Sequence, residues 1–310
     1  MQFRTLGETG LAVSALALGG SPLGGVFGQV EERDAISTVH AALDAGVNFI
    51  DTSPYYALTK SETVLGRALQ GIRRDRYYLA TKVGRYGADE FDFSAARVKA
   101  SVDESLKRLG VDYLDVIQCH DIEYGSLDQV IEETLPALRE VQREGKARFV
   151  GITGLPLKVF ETVLARTEVD TILSYCRYAL NDTGLERILP LLEAKGVGIV
   201  HAAPLAMGLL TDSGPPPWHP ASREIQEACA RAAGHCKRRG RSLARLAMQF
   251  ALANPRLHTV VVGMASVAEV QQNIACLDEP LDEELLNEVQ TILAPIHNQT
   301  WPTGREENRV

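Results

Sequence analysis

No window of this chain approaches the roughly 18 consecutive apolar residues needed to cross a membrane. Its first residues, Met1-Gln2-Phe3-Arg4, lack the apolar core of a signal peptide. An excess of basic charge is also missing. Thirty-two Lys and Arg against 40 Asp and Glu leave a net charge of −8, which argues against non-specific binding to nucleic acid. Cysteines are few, five in all, and none forms a tight C-x-x-C pair. Cys229 and Cys236 flank His235, but no second ligand pair accompanies them, so no metal is expected. Free thiols fit a reducing, cytoplasmic compartment. Finally, the glycine-rich stretch Leu18-Gly19-Gly20-Ser21-Pro22-Leu23-Gly24-Gly25 does not fit G-x-G-x-x-G followed directly by a helix, which disfavours an open dinucleotide-binding sheet.

What remains is a 310-residue chain, 45% hydrophobic and 23% charged, the composition of a globular enzyme and long enough for a large core. Short β-rich runs at 13–19, 48–51, 77–83, 113–119, 148–153, 171–175, 198–202 and 259–263 alternate with helical patterns. Seven such patterns separate the strands and an eighth, at 267–275, follows the last. The pattern at 94–109 is explicit: Val98, Val102, Ser105, Leu106 and Leu109 share one face, Ser94 is its N-cap, and Gly110 ends it. Eight β-then-α units predict an α/β fold, a closed (β/α)8 TIM barrel, as one domain over 1–310. Ahead of the first strand, residues 3–13 predict a hairpin turning at Glu8-Thr9-Gly10 and plugging the barrel bottom. The four prolines in 212–220 exclude helix and inner strand there, so this segment is a rim loop. Its Trp218 is either a substrate wall or an aromatic packed on its own protein. The basic cluster Lys237-Arg238-Arg239-Gly240-Arg241 is expected on a solvated face.

In such a barrel, residues closing strands two, three and four emerge on one rim. Asp51, Lys82 and His120 do so, and Tyr56 lies in the loop beyond Asp51. A phenol has a pKa near 10, and a neighbouring ammonium stabilises the phenolate and lowers that value. Lys82 supplies the charge, Asp51 holds Lys82 ionised, and His120 is placed to bond a substrate oxygen. Taken singly each residue has an ordinary reading: a helix cap, a snorkelling lysine, a core histidine, a packed tyrosine. Their fall at consecutive strand exits favours the joint reading. An aldolase-type barrel would instead use Lys82 as a Schiff-base lysine, which requires it to be free of a salt bridge.

The motifs Asp51-Thr52-Ser53-Pro54-Tyr55-Tyr56, Ala80-Thr81-Lys82, Asp115-Val116-Ile117-Gln118-Cys119-His120 and Gly145-Lys146-Ala147-Arg148-Phe149-Val150-Gly151-Ile152 resemble those of the aldo-keto reductase family. The likeness runs from Leu18 to Asn273. It implies Tyr56 as proton donor or acceptor, Asp51 and Lys82 as its tuners, His120 as substrate orienter, and a nicotinamide cofactor across the rim. The segments around His120-Asp121, Ser174-Tyr175, Pro204-Leu205, Trp218-His219 and Trp301-Pro302 are similar to a narrower group within that family. That likeness implies oxidation of the anomeric carbon of L-galactose or a closely related aldose to the lactone. Cofactor contacts implied are Gly20, Ser21, Ser174, Pro204, Leu205, Gly263, Ser266, Glu269 and Asn273, with Asn181 a further one. Substrate contacts implied are Tyr55, Asp121, Glu123 and Trp218. Gly263 and Glu269 stand where NADP-preferring members carry basic residues; a carboxylate repels a 2′-phosphate, so NAD is expected over NADP. Thr153-Gly154, Ser174 and Ala202 depart from the family's usual nicotinamide contacts. The alternatives are an NADP-linked aldehyde or ketone reductase, and a cofactor-binding redox-sensor barrel with little turnover.

Overall fold

Side chains along a strand alternate between faces, and here the alternation separates a barrel interior from a helix-facing shell. The fold comes from a computed structural model that describes residues 1–309. A two-stranded antiparallel sheet, β1 (Phe3–Thr5) and β2 (Ala12–Ser14), precedes a closed parallel barrel. The barrel strands are β3 (Leu16–Gly19), β4 (Phe49–Asp51), β5 (Tyr78–Val83), β6 (Leu114–Cys119), β7 (Ala147–Gly154), β8 (Thr171–Tyr175), β9 (Gly198–Ala202) and β10 (Thr259–Gly263), with β10 returning to pair with β3. All eight fall where the alternating pattern predicts.

The interior is filled by Ala17, Phe49, Ala80, Val116, Leu173, Val200 and Val261, together with Leu6, Leu11 and Val13 of the hairpin. That contact makes the hairpin a bottom plug. Leu6 is fully buried, Glu8 N–H donates to the Gly196 carbonyl at 2.8 Å, and a Cβ on Gly7 would come within 2.4 Å of Gly198 N. Residues of opposite parity, such as Leu18, Ile50, Leu79, Ile117 and Ile172, pack outward against the helices.

The run at 13–19 proves to be two elements. Ser14 Oγ donates to the Leu16 carbonyl at 2.7 Å, and the chain turns at Ala15 from hairpin to barrel. A second difference lies between β9 and β10, where two helices, Arg223–Arg238 and Leu243–Ala253, replace the single one expected. Gly240, at φ +67°, separates them. The basic cluster there is exposed, as expected, and two of its four basic residues are ion-paired: Arg239 meets Glu284 and Glu288, and Arg241 meets Asp282. These acids belong to or cap a further helix, Glu283–Leu293, which follows Val267–Asp278. The helix Ala95–Leu109 matches its expected face and both caps; Ser94 Oγ accepts from Arg97 N–H, and Gly110 is left-handed. Cys229 and Cys236 are buried thiols in a cluster beneath Arg223–Arg238. Among the described residues, no helix is long and apolar enough to cross a membrane.

Candidate active site

The interior parity continues past the hydrophobic layer. Phe49 leads to Asp51, Ala80 to Lys82, and Val116 to Gln118 and then His120, so four polar side chains enter the C-terminal mouth from three neighbouring strands. Lys82, 1% exposed, is their hub. Its ammonium donates to Asp51 Oδ1 at 2.5 Å, to the Thr52 carbonyl at 2.7 Å and to Tyr56 Oη at 3.2 Å. Three N–H bonds meet three acceptors, so the cation is fully engaged. Gln118 Nε2 donates to the second Asp51 oxygen at 2.8 Å. Burial works against the ammonium, yet Asp51 and Tyr56 outweigh it and hold Lys82 above its ordinary pKa. A lysine so paired is unsuited to Schiff-base chemistry. Asp51 is not a helix cap either, because the next helix, Lys60–Ala68, starts at Thr59.

Tyr56 sits on a turn in which Ala57, Leu58 and Thr59 are all left-handed, at φ +52°, +50° and +74°. Because its oxygen accepts from Lys82, its own proton is free to point to a ligand. The expected lowering of the phenol is not met. Burial raises its pKa above the ordinary value, and Lys82 opposes that rise without reversing it. Burial also pushes His120 down to about 3, so its imidazole is neutral. Tyr55 N–H donates to Ser53 Oγ, and that hydroxyl bonds His120 Nδ1 at 3.0 Å. A hydroxyl already accepting from an amide is set to donate to Nδ1, which leaves the proton on Nε2. Tyr56 and His120 meet edge to face, with ring centroids 5.8 Å apart. The mouth therefore offers one phenol beside a fixed cation and one neutral imidazole N–H.

The remaining expected residues divide. Tyr55 lies beside His120, with ring centroids 5.9 Å apart. Asp121, 5% exposed, directly follows His120 and is ion-paired to Arg85. Glu123 is fully buried, bonded to Leu155 N–H at 3.1 Å and Tyr175 Oη at 3.2 Å, and burial raises its carboxyl to about 8. Trp218 is 54% exposed and rests against Phe27, at 5.8 Å, from the loop after β3. Ser174 is a correction. It is buried with opposite parity to Leu173 and Tyr175, so it faces the helix layer, and Tyr175 is the residue of β8 that turns inward.

Gly20 N–H donates to the Asp51 carbonyl at 2.7 Å, and Ser21 opens the short turn that follows. A Cβ on Gly263 would meet Pro22 at 2.7 Å, which brings the ends of β3 and β10 together. Pro204 and Leu205 lie in a tight bend after β9 whose Ala203, Ala206 and Met207 are left-handed. Ser266 caps Val267–Asp278, accepting from Glu269 N–H at 3.2 Å, while Glu269 Oε2 accepts from Ala265 N–H at 2.6 Å. Asn273 is one helical turn further along, and Asn181 is buried in the loop after β8. The first-turn amides of Val267 and Ala268 form the open N-terminus of a 12-residue helix at the rim. A helix N-terminus with a glycine-lined strand exit beside it suits a nucleotide phosphate, so the residues present fit a nicotinamide cofactor. Sequence reasoning missed Gln118, Ser53 and Arg85. The alternation through Val116 could have found Gln118; no pattern in the sequence marks Ser53 or Arg85.

Comparison with known proteins supports the same picture. The model described as "Aldo/keto reductase family" matches residues 15–294. The chain is 53% identical to L-galactose dehydrogenase of Arabidopsis thaliana, over 99% of each chain. It is 36% identical to D-arabinose 1-dehydrogenase of Saccharomyces cerevisiae, over 94% of each. The structure of an aldo-keto reductase from Bacillus halodurans in its holo form superposes with a TM-score of 0.81 at 30% identity, covering both chains in full.

Proposed function

The chain belongs to the aldo/keto reductase family of oxidoreductases, and from that premise we propose that it oxidises the anomeric carbon of L-galactose or a closely related aldose to the lactone, using NAD. The single observation that carries the chemistry is the triple engagement of Lys82 with Asp51, Thr52 and Tyr56. Members of this family work with a nicotinamide cofactor, which when bound supplies the hydride acceptor. Gly20, Ser21, Pro204, Leu205, Gly263, Ser266, Glu269 and Asn273 are the residues assigned to hold it.

Tyr56 takes the proton from the C1 hydroxyl, and Lys82 stabilises the phenolate that this requires. Asp51, anchored by Gln118, keeps Lys82 charged and fixed. His120 Nε2–H donates to the same C1 oxygen and aligns it toward Tyr56. As hydride leaves C1 and the hydroxyl proton passes to Tyr56, the C1–O bond becomes the lactone carbonyl. Glu269 supports NAD: its carboxylate occupies the first turn of the rim helix, where a 2′-phosphate would meet both its charge and an amide already taken.

The test is NADH or NADPH formation with L-galactose, L-fucose, D-arabinose and simple aldehydes, each with both cofactors. Oxidation of one or more aldoses with NAD is expected. Activity confined to NADPH-dependent aldehyde reduction would refute the proposal.

A further inference from the structure

Arg85 stands three residues beyond Lys82, and the proton-transfer set does not use it. Its guanidinium is largely buried, with 14% of the side chain exposed, and donates to Asp121 Oδ2 at 2.5 Å. Its face lies 3.9 Å from the centroid of Tyr55, with Phe91 and Tyr124 each at 5.2 Å. An arginine stacked on aromatic rings and bonded through one edge has little freedom left.

Asp121 is fixed as firmly. Its N–H donates to Thr153 Oγ1 at 2.8 Å, and the Thr153 hydroxyl donates to Oδ1 at 3.2 Å. Its backbone is left-handed at φ +47°, a conformation uncommon for a non-glycine residue. These ties present a charged carboxylate beside His120. Asp121 Oδ2 lies 3.6 Å from His120 Nε2, too far for a direct hydrogen bond, so each group is free to engage a separate oxygen of one ligand. Burial works against ionised Asp121, yet the charges of Arg85 and Lys82 hold its pKa below the ordinary carboxylate value.

A carboxylate can only accept a hydrogen bond. When the C1 oxygen of an aldose sits between Tyr56 and His120, two oxygens neighbour it. The ring oxygen only accepts, so it cannot satisfy Asp121; the C2 hydroxyl can donate. We propose that the Arg85–Asp121 pair reads the C2 hydroxyl of the substrate, with Arg85 as the positioning residue that confers a preference for 2-hydroxy aldoses. This rests on the reading of the site as one that oxidises aldoses. Asp121 makes the contact. Arg85 keeps it ionised, aimed at the mouth and turned from His120, so that Nε2–H stays available to the C1 oxygen.

The experiment compares kcat and KM for the best aldose of the panel and for its 2-deoxy counterpart, in the wild type, Arg85→Met and Arg85→Lys. The wild type is expected to disfavour the 2-deoxy sugar by roughly 10- to 100-fold in kcat/KM, as for loss of a hydrogen bond to a charged group. Arg85→Met, which keeps an apolar stem against Tyr55, should lose rate on the 2-hydroxy sugar alone and bring the ratio near one. Arg85→Lys should restore part of the preference. Equal use of both sugars by the wild type overturns the proposal and leaves aldose oxidation standing. So does a proportional loss on both sugars in Arg85→Met, which would reveal structural support only. A wild type that oxidises no aldose while reducing aldehydes removes the underlying reading, and this proposal with it.

Discussion

Tyr56 carries the heaviest assignment at the scale of single residues. Its oxygen already accepts from Lys82, so replacing it by phenylalanine removes the proton acceptor and leaves Asp51, Lys82 and Gln118 connected. Tyr56→Phe should lower kcat by roughly 10²- to 10⁴-fold while cofactor affinity, read by fluorescence titration, stays nearly unchanged. The pH profile follows from the same geometry. Aldose oxidation needs the phenolate, and the phenol of the free enzyme lies above its ordinary value. Oxidation should therefore speed up as pH rises into the alkaline range, and reduction should slow. His120, neutral down to about 3, should add no second limb near neutrality. Asp51, Tyr56, Lys82 and His120 were legible in the sequence because each closes or follows a strand whose alternation is clear. The net rise of the Tyr56 pKa was not, because it depends on how completely the mouth excludes water. Arg85 and Ser53 were hidden for a related reason: each acts through a neighbour that only the folded loops supply.

At the scale of elements, strand parity explains both what the sequence revealed and what it obscured. Period two assigns Phe49 and Asp51, and Ala80 and Lys82, to the interior, and the barrel closes around them. The same rule places Ser174 on the outer face and Tyr175 within, one residue from the implied contact. The split between Ser14 and Leu16 was invisible because both halves are apolar and extended; only the Ser14 hydroxyl marks the turn. The doubled helix before β10 was masked by the basic run around Gly240, whose partners lie on Glu283–Leu293, far along the chain. The bottom plug makes its own prediction. Leu6 is fully buried among interior strand residues, on the face opposite the mouth. Leu6→Ala should cost about 2–5 kcal/mol of stability, read as a lower urea midpoint, with kcat nearly unchanged. A matching loss of kcat would show that plug and mouth are coupled.

At the scale of the whole molecule, the barrel gathers polar side chains from three strands into one mouth on a chain of net charge −8. The residues assigned to the nucleotide lie beyond the ends of β3, β9 and β10, and those assigned to proton transfer at the ends of β4, β5 and β6. Closure of the barrel makes these two sets neighbours, because β3 pairs with both β4 and β10. An oxidised carbon held above β4–β6 therefore lies next to the cofactor cradle. The account requires that the hydrogen leave C1 of the sugar as hydride. Incubating the protein with NAD and L-galactose deuterated at C1, then recovering the reduced cofactor for mass spectrometry, tests this directly. The account predicts one deuterium in NADH and none in the lactone; deuterium retained in the sugar product, with unlabelled NADH, would contradict it.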